Sequence, residues 1–142
     1  MNLPLTLTFF YLLFCSYTDI KRKYIYYEST IILTIVIILF QFINITILNH
    51  NLIQYVLSFI PGIIMILLSL ITRENISYGD SVLLGICALC VGIWNGLFII
   101  MFSFIYSAIF SLFLLLKGRK KTDTIPFVPF IFISLITYFF VF

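Results

Sequence analysis

The sequence predicts an all-α polytopic membrane protein with six transmembrane helices, both termini outside, and a single membrane-embedded domain over residues 1–142. Three observations carry this. Only 9% of residues are charged and 63% are hydrophobic, with mean hydropathy +1.24, whereas a soluble domain is about a quarter charged. The apolar residues fall in runs close to the roughly 20 that cross a bilayer as a helix. All eight basic residues lie in three short stretches: Lys21, Arg22 and Lys23; Arg73; and Lys117, Arg119, Lys120 and Lys121. Basic clusters of this kind set membrane topology, so the bilayer is the expected partner and nucleic acid is not.

The elements follow in order. The first span runs over about Leu3 to Thr18; a signal peptide is not expected, because a basic n-region and a small-residue cleavage site are missing. A charged loop, Asp19 to Glu28, leads to the second span, Ser29 to Leu48, and a tight turn at Asn49-His50-Asn51 leads to the third, Leu52 to Ile71. Pro61-Gly62 falls inside the third span, where neighbouring helices tolerate a kink. Thr72 to Asp80 is the second charged loop.

Ser81 to Leu116 is apolar for 36 residues. As one helix it would be about 54 Å long, too much for a hydrocarbon core of about 30 Å. Gly92-Ile93-Trp94-Asn95-Gly96 supplies a break, giving a fourth span from Ser81 to Trp94 and a fifth from Gly96 to Leu116. Lys117 to Thr124 is the third charged loop, and Ile125 to Phe142 the sixth span, with Pro126 and Pro129 in a first turn that tolerates proline. With six spans, the three loops holding every Lys and Arg share the cytoplasmic side.

Few side chains can do chemistry. His50 sits in an uncharged turn and reads as solvated, which leaves a serine–histidine mechanism without a base. Cys87-x-x-Cys90 lacks a second ligand pair and reads, with Cys15, as small apolar packing. No metal site and no cofactor are expected. Of the five acids, Glu28, Glu74 and Asp123 read as solvated charge balance. Asp19 follows the first span and Asp80 precedes the fourth, after a Gly79 whose freedom at positive φ would permit a sharp turn into the helix.

From the residues alone, two readings of Asp19 and Asp80 stand. They are interfacial charges at helix ends, or they are a carboxylate pair sharing a proton, able to activate water against a peptide carbonyl. Helix dipoles disfavour negative charge on Asp19 at a C-terminus and favour it on Asp80 at an N-terminus. In a pair, Asp80 is therefore expected to be the base and Asp19 the acid.

Three local patterns, in order along the chain, resemble the prepilin peptidases, membrane aspartic proteases of the GxGD type. Asp19-Ile20-Lys21-Arg22-Lys23-Tyr24-Ile25 keeps that family's acid, basic run and Ile, with Tyr26 and Tyr27 replacing Pro-Asn. Ser77-Tyr78-Gly79-Asp80 is similar to GxGD with Ser for the first Gly, and Val82 stands where many members have Lys. Ile125-Pro126-Phe127-Val128-Pro129-Phe130 is close to Pro-Phe-Gly-Pro-Phe at the last helix.

The resemblance implies an aspartic endopeptidase with Asp19 and Asp80 catalytic and Gly79 supporting their loop. It implies a prepilin-like precursor as substrate, cut on the cytoplasmic side between a short basic leader and an apolar helix, with Glu28, Glu74 and Asp123 as candidates to attract the leader. Larger members carry a cysteine-rich, metal-binding insertion and N-methylate the product; this chain has no such insertion and methyl transfer is not expected. The competing reading is a non-catalytic polytopic protein, transporter-like or an assembly subunit, whose aspartates bind a cation or cap helices. Ionisable groups at the span edges rather than mid-membrane favour the protease.

Overall fold

The structure, a computed structural model, describes residues 3–22, 27–48, 52–71, 77–118 and 125–141. Six helices make up these residues: α1 (Leu3–Arg22), α2 (Tyr27–Leu48), α3 (Leu52–Ile71), α4 (Tyr78–Val91), α5 (Ile93–Leu116) and α6 (Val128–Val141). No strand occurs among the described residues. Leu3–Lys21, Ile53–Ile71 and Ile93–Leu116 are long and apolar enough to cross a membrane; the apolar stretches in α2, α4 and α6 are shorter. The turn at Asn49-His50-Asn51, the basic residues Lys23 and Arg73, the acids Glu74 and Asp123, and the cluster Arg119, Lys120 and Lys121 lie outside the described residues.

The short α4 is the centre of the bundle, packing against each of the other five helices, with every residue from Gly79 to Leu89 buried except Val82. Small residues let its neighbours approach, as is usual at helix contacts in lipid. A Cβ on Gly62 of α3 would come within 2.9 Å of the Gly85 Cα, and one on Gly96 of α5 within 2.6 Å of the Ala88 Cβ. Cys15 and Cys87 belong to the apolar core and Cys90 packs against it.

The break between α4 and α5 is narrower than the sequence suggested. It falls at Gly92 alone, whose φ of +88° only glycine adopts freely. Asn95 and Gly96 are already helical, and Gly96 serves close packing instead of a turn. The other boundaries also shift: α1 continues through Asp19 to Arg22, α4 begins before Asp80, and α6 begins at Val128, leaving Pro126 ahead of it.

Two flanks of α4 are built differently. On one, α5 and α6 are joined by polar side chains: the Ser103 and Ser134 hydroxyls meet at 2.9 Å, Tyr106 and Thr137 at 3.0 Å, and the Asn95 amide donates to the Tyr138 hydroxyl at 3.3 Å. On the other, α2 is held by its two ends. The Tyr11 hydroxyl lies 2.9 Å from that of Ser29 and 2.8 Å from that of Thr30, while the Gln41 amide donates to the Leu89 carbonyl at 2.8 Å. Between these ties an apolar cavity of about 180 Å³ opens among α2, α3 and α4, with Thr34, Ile38, Gly62, Val82 and Ile86 in its wall.

Candidate active site

The buried face of α1 explains where Asp19 goes. Leu5, Thr8, Leu12, Cys15 and Asp19 are all buried, and their alternating spacing of three and four residues keeps them on one side of a helix. Asp19 thus occupies the next core position on the stripe, in the last turn of α1, and is only 7% exposed. Leu7, Phe10, Phe14 and Tyr17 cover the opposite, exposed face.

Asp80 is placed by the start of α4. Ser77 is the N-cap: its side-chain oxygen accepts the Gly79 N–H at 3.2 Å, and its carbonyl accepts the Ser81 N–H at 3.1 Å. The Ser that replaces the first glycine of a GxGD pattern therefore anchors the turn. Gly79 itself is buried and helical, in the first turn of α4, so the expected positive-φ turn at that position is not what the chain forms. Asp80 follows, 8% exposed, just ahead of the apolar run that begins at Ser81.

The fold brings the two acids close enough for the charge of Asp19 to act on Asp80. Their surroundings differ. Asp19 Oδ2 accepts the backbone N–H of Val128, at the start of α6, at 3.1 Å. A donor of this kind stabilises an ionised carboxylate. Asp80 Oδ1 is buried with no hydrogen-bond partner. Burial first, and the neighbouring Asp19 second, push the Asp80 carboxyl up to about 7 from its ordinary 3.8. That shift corresponds to about 4 kcal/mol against the ionised form. A helix N-terminus offers only about 0.3–1 kcal/mol in its favour.

At Asp80 desolvation therefore outweighs the helix dipole. These surroundings run against the expectation, drawn from helix dipoles, that Asp80 is the ionised member of the pair. The dipole of α1 does act against a charge on Asp19, but the start of α6 meets that charge with the positive end of another helix.

The other sequence candidates are not drawn into this pair. Glu28 is exposed in the first turn of α2, and Glu74 and Asp123 are outside the described residues. The Val128 amide had no counterpart among the candidates, because a backbone donor carries no residue signature.

The pattern of the type IV leader peptidase family matches residues 6–116, a stretch that includes both aspartates and ends before α6. The chain belongs to this family. As a type IV leader peptidase-like protease, it carries Asp19 and Asp80 inside the matched region, while the Pro-rich start of α6 lies beyond it. No curated protein and no solved structure matches the chain.

Proposed function

We propose that this leader peptidase is a membrane aspartic endopeptidase in which Asp19 and Asp80 together hydrolyse one peptide bond of a prepilin-like precursor. The observation that carries this is the inequality of the two buried acids: one bonded to an amide, the other desolvated with an unpartnered oxygen. A pair in that state holds one proton in total, which is what water-activated peptide hydrolysis needs.

The chemistry follows from those protonation states. Asp19 takes a proton from water as its oxygen attacks the scissile carbonyl carbon, and Asp80 gives its proton to the carbonyl oxygen. As the tetrahedral carbon collapses, the C–N bond breaks and Asp19 passes its proton to the leaving nitrogen. Asp80 recovers a proton from a hydroxyl of the same carbon. One water is consumed, a carboxylic acid and an amine are released, and both aspartates return to their starting states.

In this reading all six helices cross the cytoplasmic membrane, both termini lie outside, and the three charged loops face the cytoplasm, where the basic leader is cut away. The exposed apolar residues on α2, α3 and α5 support a lipid-solvated surface. Reporter fusions at His50 and Lys120 test the topology and should report opposite sides.

Co-expression with a prepilin-like precursor tests the activity. The unaltered protein should shorten the precursor, and Asp19→Asn and Asp80→Asn should each reduce cleavage by at least about a hundredfold. Normal cleavage by either variant would return the aspartates to helix-end or cation-binding roles.

A further inference from the structure

We propose that the backbone N–H of Val128 is the positioning group that holds Asp19 ionised and so decides which aspartate acts as base. This rests on the reading of Asp19 and Asp80 as the hydrolytic pair.

The sequence at the start of α6 leaves one donor free for this task. The Phe130 N–H bonds the Phe127 carbonyl at 3.0 Å, and the Ile131 N–H bonds the same oxygen at 3.4 Å. Pro129 has no N–H to offer, and Pro126 ahead of the helix has none either. Val128 is thus the first-turn residue whose N–H has no partner within α6, and it points at Asp19 Oδ2 from 3.1 Å. Val128 is 0% exposed, so water does not stand in for the carboxylate. A buried N–H without an acceptor is costly, and an ionised oxygen is its strongest partner. The donor and the charge stabilise each other.

The donor is also fixed in place. One face of α6 is tied to α5 through Ser134 and Thr137, and Val128, Ile131 and Leu135 belong to the buried core. Of the titratable groups near Asp19, Asp80 is on α4 and Cys15 lies one turn back on α1. The Lys21 ammonium is exposed and donates to the Tyr17 hydroxyl at 2.7 Å, and Glu28 of α2 and Lys117 after α5 are exposed. Residues 125–130 contain no titratable side chain. The α6 amide is therefore a hydrogen-bond donor delivered to Asp19 from the element that carries no charge of its own.

The experiment is a pH–rate profile of precursor cleavage by the purified full-length protein. Val128→Pro removes the N–H at a helix position that tolerates proline. An ester in place of the amide between Phe127 and Val128 removes it with almost no change of shape. Both should move the acid limb up by about one pH unit and lower kcat on that limb about tenfold, with KM unchanged. Val128→Ala and Val128→Gly keep the N–H and should keep the acid limb where it is. The ester protein keeps the test decisive if the proline variant fails to fold.

An unmoved acid limb in the ester protein overturns the inference, as does an equal movement in Val128→Ala. Asp19→Asn separates the two layers. If it still cleaves, the hydrolytic pair fails and this inference with it. If it is inactive while the ester protein keeps its acid limb, only the role of Val128 fails.

Discussion

The ends of α1 and α4 each carry one buried carboxyl, yet the two surroundings act in opposite directions. Asp19 lies in a last turn, where the helix dipole opposes its charge, and a neighbouring helix supplies a hydrogen bond to it. Asp80 lies in a first turn, where the dipole assists its charge, and one of its oxygens is sealed from any partner. Tertiary packing thus works against the local field in both places. A carboxyl's role is set by who faces it across the bundle more than by which end of its own helix it occupies.

The largest expected effect comes from removing either member. Asp19→Asn and Asp80→Asn each leave a pair that cannot both take and give a proton, and each should abolish cleavage in the precursor assay. A variant that is silent in this assay would break the comparison at once, since the difference between the two sites would then have no chemical use.

The close crossing of α3 and α4 is the next to probe. A side chain at Gly85 would meet the Gly62 Cα at 3.1 Å, and backbone on that side has little room to yield. Gly85→Val should destabilise the protein by about 1–3 kcal/mol, seen as a lower thermal inactivation temperature in detergent. Wild-type thermal behaviour would mean that α3 does not brace α4 at this crossing.

Stability also distinguishes the two acids by pH. An unfolded Asp80 ionises near 3.8 and the folded one near 7, so the folded state holds the extra proton between those values. Folding stability carried by this group is therefore full below about 3.8 and is lost as pH rises through about 7. Asp80→Asn mimics the protonated form. It should unfold at a higher temperature than the wild type at about pH 8, by a smaller margin at about pH 5, and at nearly the same temperature below about pH 3.8, with a difference of at most about 4 kcal/mol. Equal stabilities at the higher pH would show that Asp80 is not desolvated. The smallest effect belongs to the α5–α6 ties: Ser103→Ala should cost about 0.6 kcal/mol in the same unfolding measurement.

Much of this architecture was legible in the chain. The α3 bounds follow from an apolar run flanked by polar residues, and the need to divide residues 81–116 follows from bilayer thickness alone. Even the burial of Asp19 could be read from its place in the Leu5–Thr8–Leu12–Cys15 stripe, and Ser77 is an ordinary N-cap residue three positions before an acid. Gly96 misled because a glycine near a break looks like part of it, whereas close packing against Ala88 is a property of two helices. The dipole argument for the acids was incomplete for a similar reason. The dipole is local and visible in sequence, but desolvation of Asp80 and the Val128 donor arise only when α1, α4 and α6 meet.

The most direct test of the pair is the rate of precursor cleavage by the purified protein between about pH 5 and about pH 9. If Asp19 works ionised and Asp80 works protonated, the rate falls as pH rises through about 7, where Asp80 gives up its proton. A rate that holds constant or climbs through that range would contradict the shared proton on which the account depends.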